Sequence, residues 1–469
     1  MIEITPILHK DGPLYLQLYN FIKNEIQVGN IRANSKLPSQ RSLAKHLNIS
    51  RNTVDTAYQQ LIAEGYVISK ERDGIYVVEL EKEFFLKNNQ IDNDILIANS
   101  NQESEDAIVK YDFNYGDINL KDFPYKLWRK LSLQSLNEEQ GYLYLYGDPQ
   151  GEVDLRNSIS LYLYQARGVK CSPEQIIVGA GVQYLTGLFI NLIGRDVVYG
   201  MEDPGYYRVR YLFDDSGIKV QPILLDDSGI NVQHLRKNKV KVVYVTPSHQ
   251  FPTGIVMPIA RRLELLEWAR EETAYIIEDD YDGEFRYSGK PIPALHGLDS
   301  YENVVYMGTF SKSLIPSIKL SYMVLPMELI NLYKKNNFYV QTVSRLHQHT
   351  LRLFMESGHW ERHLNKSRNI YKGRHLALLN AIHQVMNNDV NVYGSGSGLH
   401  ILLEPNNHMS EKQLIQKARE QGIIIYPTSV FYANPQKNHQ SAKVLLGFAN
   451  LDEASIFKGI ELLNKAWFE

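Results

Sequence analysis

Residues 276–285 read IIEDDYDGEF, and residues 304–314 read VVYMGTFSKSL. In each, an apolar run of strand type ends in reactive side chains. The first runs into Asp279, Asp280, Tyr281 and Asp282, the second into Thr309, Ser311 and Lys312. Continuous Ile/Val runs bounded by polar turns mark strands buried on both faces, as in parallel sheets. Acids at the carboxyl end of such a strand lie where α/β sheets bind ligands. A lysine held between hydroxyls at a strand end is placed to serve as an amine nucleophile once burial lowers its pKa.

A third segment joins them. Ile176–Val178 leads into GAGVQ (179–183), a strand, two glycines and the start of a helix. Bare backbone amides at a helix N-terminus cradle phosphate. Each segment also has a plainer reading, as a strand-exit turn, a polar turn or a tight strand-to-helix connection. Their order along the chain is phosphate cup, aromatic, acid, lysine. That order fits pyridoxal 5'-phosphate, whose ring and phosphate need protein groups of these kinds.

Outward from these segments the chain falls into three zones. From about 111 to 469, short β-branched runs alternate with longer helical stretches, the pattern of an α/β domain. Residues 81–110 are rich in Asn, Asp, Glu, Gln and Ser without a sustained period, and are expected to be a linker. Residues 1–80 are dense in short periodic segments. With 469 residues, more than one domain is expected.

In the first zone Leu18, Phe21, Ile22 and Ile26 have helical spacing, and Gly29 stops that helix. Ser39 caps a second helix with Leu43, Ala44 and Leu47 inward. Ser50 caps a third with Val54, Ala57 and Leu61 inward. Two short strands around Asp73-Gly74 follow. This is a winged helix-turn-helix. Ser50, Arg51, Asn52 and Thr53 open the third helix with polar donors suited to phosphates and base edges of double-stranded DNA. Arg41, Lys45 and the wing residues Lys70 and Arg72 are expected to hold the DNA backbone. The plainer reading is a helical packing module with a solvated basic face. The formal net charge is −3, yet the stretch from Arg32 to Arg51 holds five Lys/Arg and no acid. The near-neutral total therefore hides a basic strip.

A single cysteine, Cys171, excludes an intrachain disulfide and a Cys-rich zinc site. No metal is expected. No apolar run approaches a membrane span, so neither a membrane partner nor a signal segment is expected, and the protein is expected in a bacterial cytoplasm.

Residues 37–67, LPSQRSLAKHLNISRNTVDTAYQQLIAEGYV, closely resemble the DNA-binding domain of the GntR family of bacterial regulators, over about residues 10–80. The wing departs from that family, with ERDGIYV (71–77) in place of a Gly-x-Gly-aromatic-Val run. Residues 111–469 resemble fold-type I aminotransferases, and most closely the aminotransferase-like part of MocR-type regulators. PSHQFPTG (247–254), IIEDDYDGEF, YMGTFSKSL (306–314) and LGFA (446–449) carry that match. The resemblance implies an N-terminal winged helix (1–80), a linker (81–110) and a mainly parallel α/β domain with a smaller C-terminal lobe (111–469).

It also implies roles. Lys312 would form the internal aldimine. Asp279 would pair with the pyridinium nitrogen, Tyr281 with the 3-hydroxyl, and Tyr206 would stack on the ring. Ala180, Gly181 and Val182 would offer amides to the phosphate, with Thr309 and Ser311 adding hydroxyls. Arg208 matches an arginine near the effector pocket, and His249 is a second candidate there. A homodimer is implied, with Tyr146 reaching the neighbour's phosphate or packing in the core. Two departures follow. Lys319 stands where the family has a phosphate-forking arginine, keeping the charge but not the fork. Val430, Leu445 and Leu446 stand where arginines would take an effector or substrate carboxylate. The expected protein is a DNA-binding transcriptional regulator. Its small-molecule effector is pyridoxal phosphate itself, favoured, or an amino compound. The alternative is an aminotransferase with an appended DNA-binding domain.

Overall fold

The structure is a computed structural model. It describes residues 4–6, 9, 12–70, 73–79, 109–287, 292–336, 338–434 and 442–469. The chain divides into two compact units, Met1–Glu105 and Asp106–Glu469. The expected linker, apart from residues 109–110, and the wing residue Arg72 lie outside the described residues.

In the first unit, α1 (Leu14–Val28), α2 (Gln40–Leu47) and α3 (Arg51–Ala63) precede an antiparallel hairpin of β1 (Val67–Lys70) and β2 (Gly74–Val77). Each boundary has a local cause. Gly29 ends α1 at φ 87, a conformation glycine adopts without strain. Ser39 accepts from Ser42 N at the start of α2, and Ser50 from Thr53 N at the start of α3. Leu18, Ile22, Leu43, Val54, Ala57, Tyr58 and Leu61 close one core.

The second unit is built on an eight-stranded sheet. Its strands are β4 (Ile176–Gly179), β5 (Tyr199–Asp203), β6 (Gln221–Asp226), β7 (Gly229–Ile230), β8 (Val242–Val245), β9 (Tyr275–Asp280), β10 (Val304–Thr309) and β11 (Ser321–Val324). They lie in the order β4-β11-β10-β9-β8-β5-β6-β7. The pairs from β10 through β9, β8 and β5 to β6 are parallel. β11 runs against both β10 and β4, and β7 runs against β6. So β4, β5, β6, β8, β9 and β10 all point one way, and their carboxyl ends share one edge. Alternate residues of β10 enter cores on opposite faces: Val305 and Met307 join Phe189 and Phe213, while Tyr306 joins Ile159 and Leu163. Burial on both faces is why these strands read as unbroken apolar runs.

The smaller lobe holds an antiparallel sheet of β12 (Val390–Tyr393), β13 (His400–Pro405), β16 (Val444–Gly447) and β15 (Tyr426–Pro427), in that order. Helices His359–Val385, Glu411–Glu420 and Glu453–Phe468 pack around it. β3 (Tyr111–Asp112) pairs in parallel with β14 (Ile423–Ile424), tying the start of this unit to its end.

Candidate functional site

The shared carboxyl edge collects the chemistry. β4 delivers Ala180, Gly181 and Val182, β5 delivers Tyr206 and Arg208, and β8 leads to His249. β9 carries Asp279 and passes into Tyr281 and Asp282. β10 ends in Thr309, before Ser311 and Lys312. β11 is reversed, so its amino end, next to Lys319, meets the same edge.

Asp279 is 4% exposed and accepts a hydrogen bond from the Tyr244 hydroxyl; its Oδ1 has no partner. Burial pushes its carboxyl up to about 7, with Asp280 and Asp282 adding to the rise and Tyr244 opposing it. A buried carboxylate with a bare oxygen is costly unless a cation or N–H meets it. A protonated ring nitrogen supplies that partner, and on this observation the residues fit pyridoxal phosphate. Lys312 is half-buried, and its Nζ donates to the carbonyls of Tyr115 and Gly116. Burial pushes its amine down to about 8, while Asp282 and Asp117 pull it upward. Near pH 8 about half of such amines are neutral and nucleophilic.

The residues expected to receive a phosphate lie at the turns after β4 and β10. Gly181 has φ 98 and caps the helix Val182–Ile193, with open space where a Cβ would stand. Ala180 N donates to Thr342 Oγ1 at 3.2 Å. Thr309 Oγ1 accepts from Ser311 N and from Ser321 Oγ and donates to Ser311 Oγ, within 3.2 Å in each case. Lys319 is exposed, with left-handed backbone at φ 49. Tyr206 is half-buried, its ring edge-on to Phe251 at 5.6 Å.

The two effector candidates differ. Arg208 is exposed, with Nε on the Tyr207 hydroxyl at 3.2 Å. His249 is 1% exposed, and its Nδ1 lies 2.9 Å from both Asp282 Oδ2 and the Tyr281 hydroxyl. Leu445 and Leu446 are fully buried, and Val430 is 43% exposed. Tyr146 is 94% exposed, so within one chain it is not a core residue. His249, Asp282 and His400 place donor atoms within 4.8 Å of one another. Burial, with the neighbouring His249 and Lys312, acts against positive charge at His400.

Sequence reasoning missed Tyr244, Asp282 as a partner of His249, His400 and the Tyr115 and Gly116 carbonyls. Tyr244 carried a signal, being a polar tip inside the apolar strand VVYV. The carbonyls carried none, since backbone acceptors 196 and 197 residues from Lys312 leave no side-chain pattern.

In the first unit Arg41, Lys45, Ser50, Arg51 and Asn52 are exposed, and Thr53 is half-buried. Arg41, Lys45 and Arg51 make no ion pair among the described residues. Lys70 lies 4.4 Å from the Tyr76 ring centroid, and Lys36, which precedes α2, pairs with Asp73 of the hairpin turn at 3.0 Å. Arg51 at the amino end of α3 and Arg41 and Lys45 of α2 are therefore exposed cations without an ion-pair partner among the described residues.

Comparison with known proteins covers both units. The family "Aminotransferase class I and II" matches residues 110–461, and "Bacterial regulatory proteins, gntR family" matches residues 14–77. An uncharacterized HTH-type transcriptional regulator, YdeL of Bacillus subtilis, is 43% identical over 99% of this chain and 99% of its own. The probable rhizopine catabolism regulatory protein MocR of Rhizobium meliloti is 30% identical, over 97% of this chain and 94% of its own. The HTH-type pyridoxine biosynthesis transcriptional regulator PdxR of Corynebacterium glutamicum is 28% identical, over 84% of each. Among solved structures, kynurenine aminotransferase of Pyrococcus horikoshii superposes with TM-score 0.68 at 26% identity, covering 83% of this chain and 94% of its own. No helix among the described residues is long and apolar enough to cross a membrane.

Proposed function

Since this chain belongs to the family of HTH-type transcriptional regulators, MocR among them, that join a gntR-type domain to an aminotransferase class I and II domain, we propose that it binds pyridoxal 5'-phosphate covalently through Lys312 and that this ligand biases its binding to DNA. One observation carries the reading: a buried acid with a bare oxygen, Asp279, shares one sheet edge with Lys312, whose amine is pushed down to about 8. When bound, pyridoxal phosphate supplies an electron-poor ring and a carbonyl that captures amines.

This chain's residues do the rest. Asp279 holds a proton on the ring nitrogen, Tyr281 meets the 3-oxygen, and Tyr206 covers the ring face. The amides of Ala180, Gly181 and Val182 and the hydroxyls of Thr309 and Ser311 receive the phosphate, and Lys319 adds charge. At the DNA, the start of α3 reads the groove while Arg41, Lys45, Lys70 and Arg72 hold phosphates. We infer that the ligand is itself the signal. Leu445, Leu446 and Val430 provide no cation for an effector carboxylate, and the relative PdxR is named for pyridoxine biosynthesis. Arg208 is the residue that would serve an amino-compound effector. A homodimer in the bacterial cytoplasm is the expected working form.

The ligand shifts DNA binding only if it favours one arrangement of the protein over another. The test is DNA binding to the protein's own upstream region with and without pyridoxal phosphate, alongside the visible spectrum of the purified protein. A colourless protein sinks the cofactor reading, and unchanged DNA binding sinks the sensor reading. A second reading, an aminotransferase with an appended DNA-binding domain, draws on the intact Lys312 and Asp279. Conversion of amino donors to keto acids would favour it.

A further inference from the structure

His249 was a candidate for an effector, but its surroundings suit a different task. Its ring is 1% exposed. Gly398 lies against it so closely that an added Cβ would stand 2.0 Å from Cε1 and 2.6 Å from Asp282 Oδ2. At φ 75, Gly398 lets the loop entering β13 seal this pair from water.

The hydrogen bonds can be assigned by valence. Nδ1 carries either one hydrogen or one lone pair. It lies 2.9 Å from Asp282 Oδ2 and 2.9 Å from the Tyr281 oxygen. Beside a carboxylate the hydrogen sits on Nδ1 and is donated. Nε2 is buried without a partner, which suits a neutral ring, since a second N–H there would go unmet. Tyr281 therefore receives from His249 and cannot donate to it. Within the chain its own hydrogen goes to Asp282, whose carboxylate oxygens can each accept more than one bond; a bound 3-oxygen is the competing acceptor.

We propose that His249, anchored by Asp282, is a positioning residue that turns the Tyr281 hydroxyl hydrogen toward the 3-oxygen of bound pyridoxal phosphate. This rests on the reading of the edge as a pyridoxal phosphate site. The other charged or titratable groups facing the pair are His400 of β13, its ring 4.8 Å from that of His249, and Arg167 and Arg286 across a small adjoining cavity. Burial, and after it the His249 and Lys312 nitrogens, disfavour charge on His400, while Asp282 favours the charge on Lys312. No carboxylate other than Asp282 competes for the His249 hydrogen among these groups.

A hydrogen bond donated to the 3-oxygen stabilises negative charge there. It makes that oxygen a weaker acceptor for the proton held at the Lys312 nitrogen, so that proton leaves at lower pH. The measurement is the pH midpoint of the visible absorbance of the full chain loaded with pyridoxal phosphate. His249→Phe keeps a ring but removes the donor, and should raise the midpoint by about one pH unit. His249→Asn keeps an N–H near the Nδ1 position and should restore a midpoint close to that of the natural protein. In a Tyr281→Phe background, His249→Phe should change nothing further. Where the phenylalanine variant does not fold, His249→Gln, whose amide sits one bond further out, should show the same upward shift.

A visible band whose midpoint ignores His249→Phe overturns the proposal while leaving the cofactor reading intact. So does a shift of equal size in the Tyr281→Phe background. Stoichiometric divalent metal in the purified protein, lost in His249→Phe, would also overturn it. No visible band in the natural protein removes both readings.

Discussion

Replacing Asp279 by asparagine should stabilise the cofactor-free protein while weakening its hold on pyridoxal phosphate. Asp279 is buried in β9, and burial raises its carboxyl from 3.8 to about 7. A folded-state pKa above the unfolded one means that the folded protein binds the proton more tightly. Stability then falls as pH rises from the unfolded value to about 7, and the penalty is complete above that. About three units at 1.4 kcal/mol each gives a penalty of about 4 kcal/mol for holding the charge, with the help of the Tyr244 bond already included. Asparagine removes that charge at nearly constant volume and can still accept from the Tyr244 hydroxyl. It also puts an amide N–H donor where the bare oxygen stood, and an unmet buried donor costs about 1–3 kcal/mol. The net gain is about 1–3 kcal/mol at neutral pH and above. The assay is denaturant unfolding of the cofactor-free full chain, followed by circular dichroism, at about pH 5 and about pH 8. The advantage of Asp279→Asn should grow by about 2.6 kcal/mol between them. An advantage that does not change with pH, or one that shrinks, would refute the claim that an unmet buried charge sits at Asp279. The same variant should bind pyridoxal phosphate more weakly, because asparagine cannot hold a proton on the ring nitrogen. Stability set aside at a binding site in this way is a mark of function.

Three further outcomes are expected. Lys312→Ala should lose the visible band and the response to pyridoxal phosphate, yet keep DNA binding; in the natural chain, the rate of attachment should climb with pH up to about 8, where the amine loses its proton. Arg51→Ala should weaken binding to double-stranded DNA and reduce the slope of log affinity against log salt by about 1, as for one lost phosphate contact, or relax specificity if Arg51 reads a base. Ser50→Ala should destabilise the N-terminal unit by about 1 kcal/mol, measured by thermal unfolding, because the Thr53 amide loses its cap.

Much of the architecture was legible in residue order. The strands β4, β9 and β10 were visible because burial on both faces demands unbroken apolar runs, and their boundaries fell within a few residues of the expected ones. The caps Ser39 and Ser50 and the stop at Gly29 were visible because helix ends impose local chemistry. Asp279, Tyr281 and Lys312 stood out because each lies at or just past the carboxyl end of a strand, and parallel strands carry those ends to one edge. His249 was noticed but its setting was not. Sequence placed it near an effector, whereas it is sealed under Gly398 and bonded to Asp282 and Tyr281.

By itself, then, the sequence determined the two kinds of unit and the chemical identities of the groups at the sheet edge, because periodicity, caps and strand ends are local rules. The tertiary structure decided what each group faces. Asp279 is left with a bare buried oxygen because Tyr244, 35 residues away, satisfies only the other one. Lys312 meets Tyr115 and Gly116 because β3 pairs with β14 and brings the start of the unit back against its end. His249 meets Asp282 because β8 and β9 are neighbours in the sheet. Desolvation and hydrogen-bond partners depend on distances between segments far apart in the chain, and no local pattern encodes them.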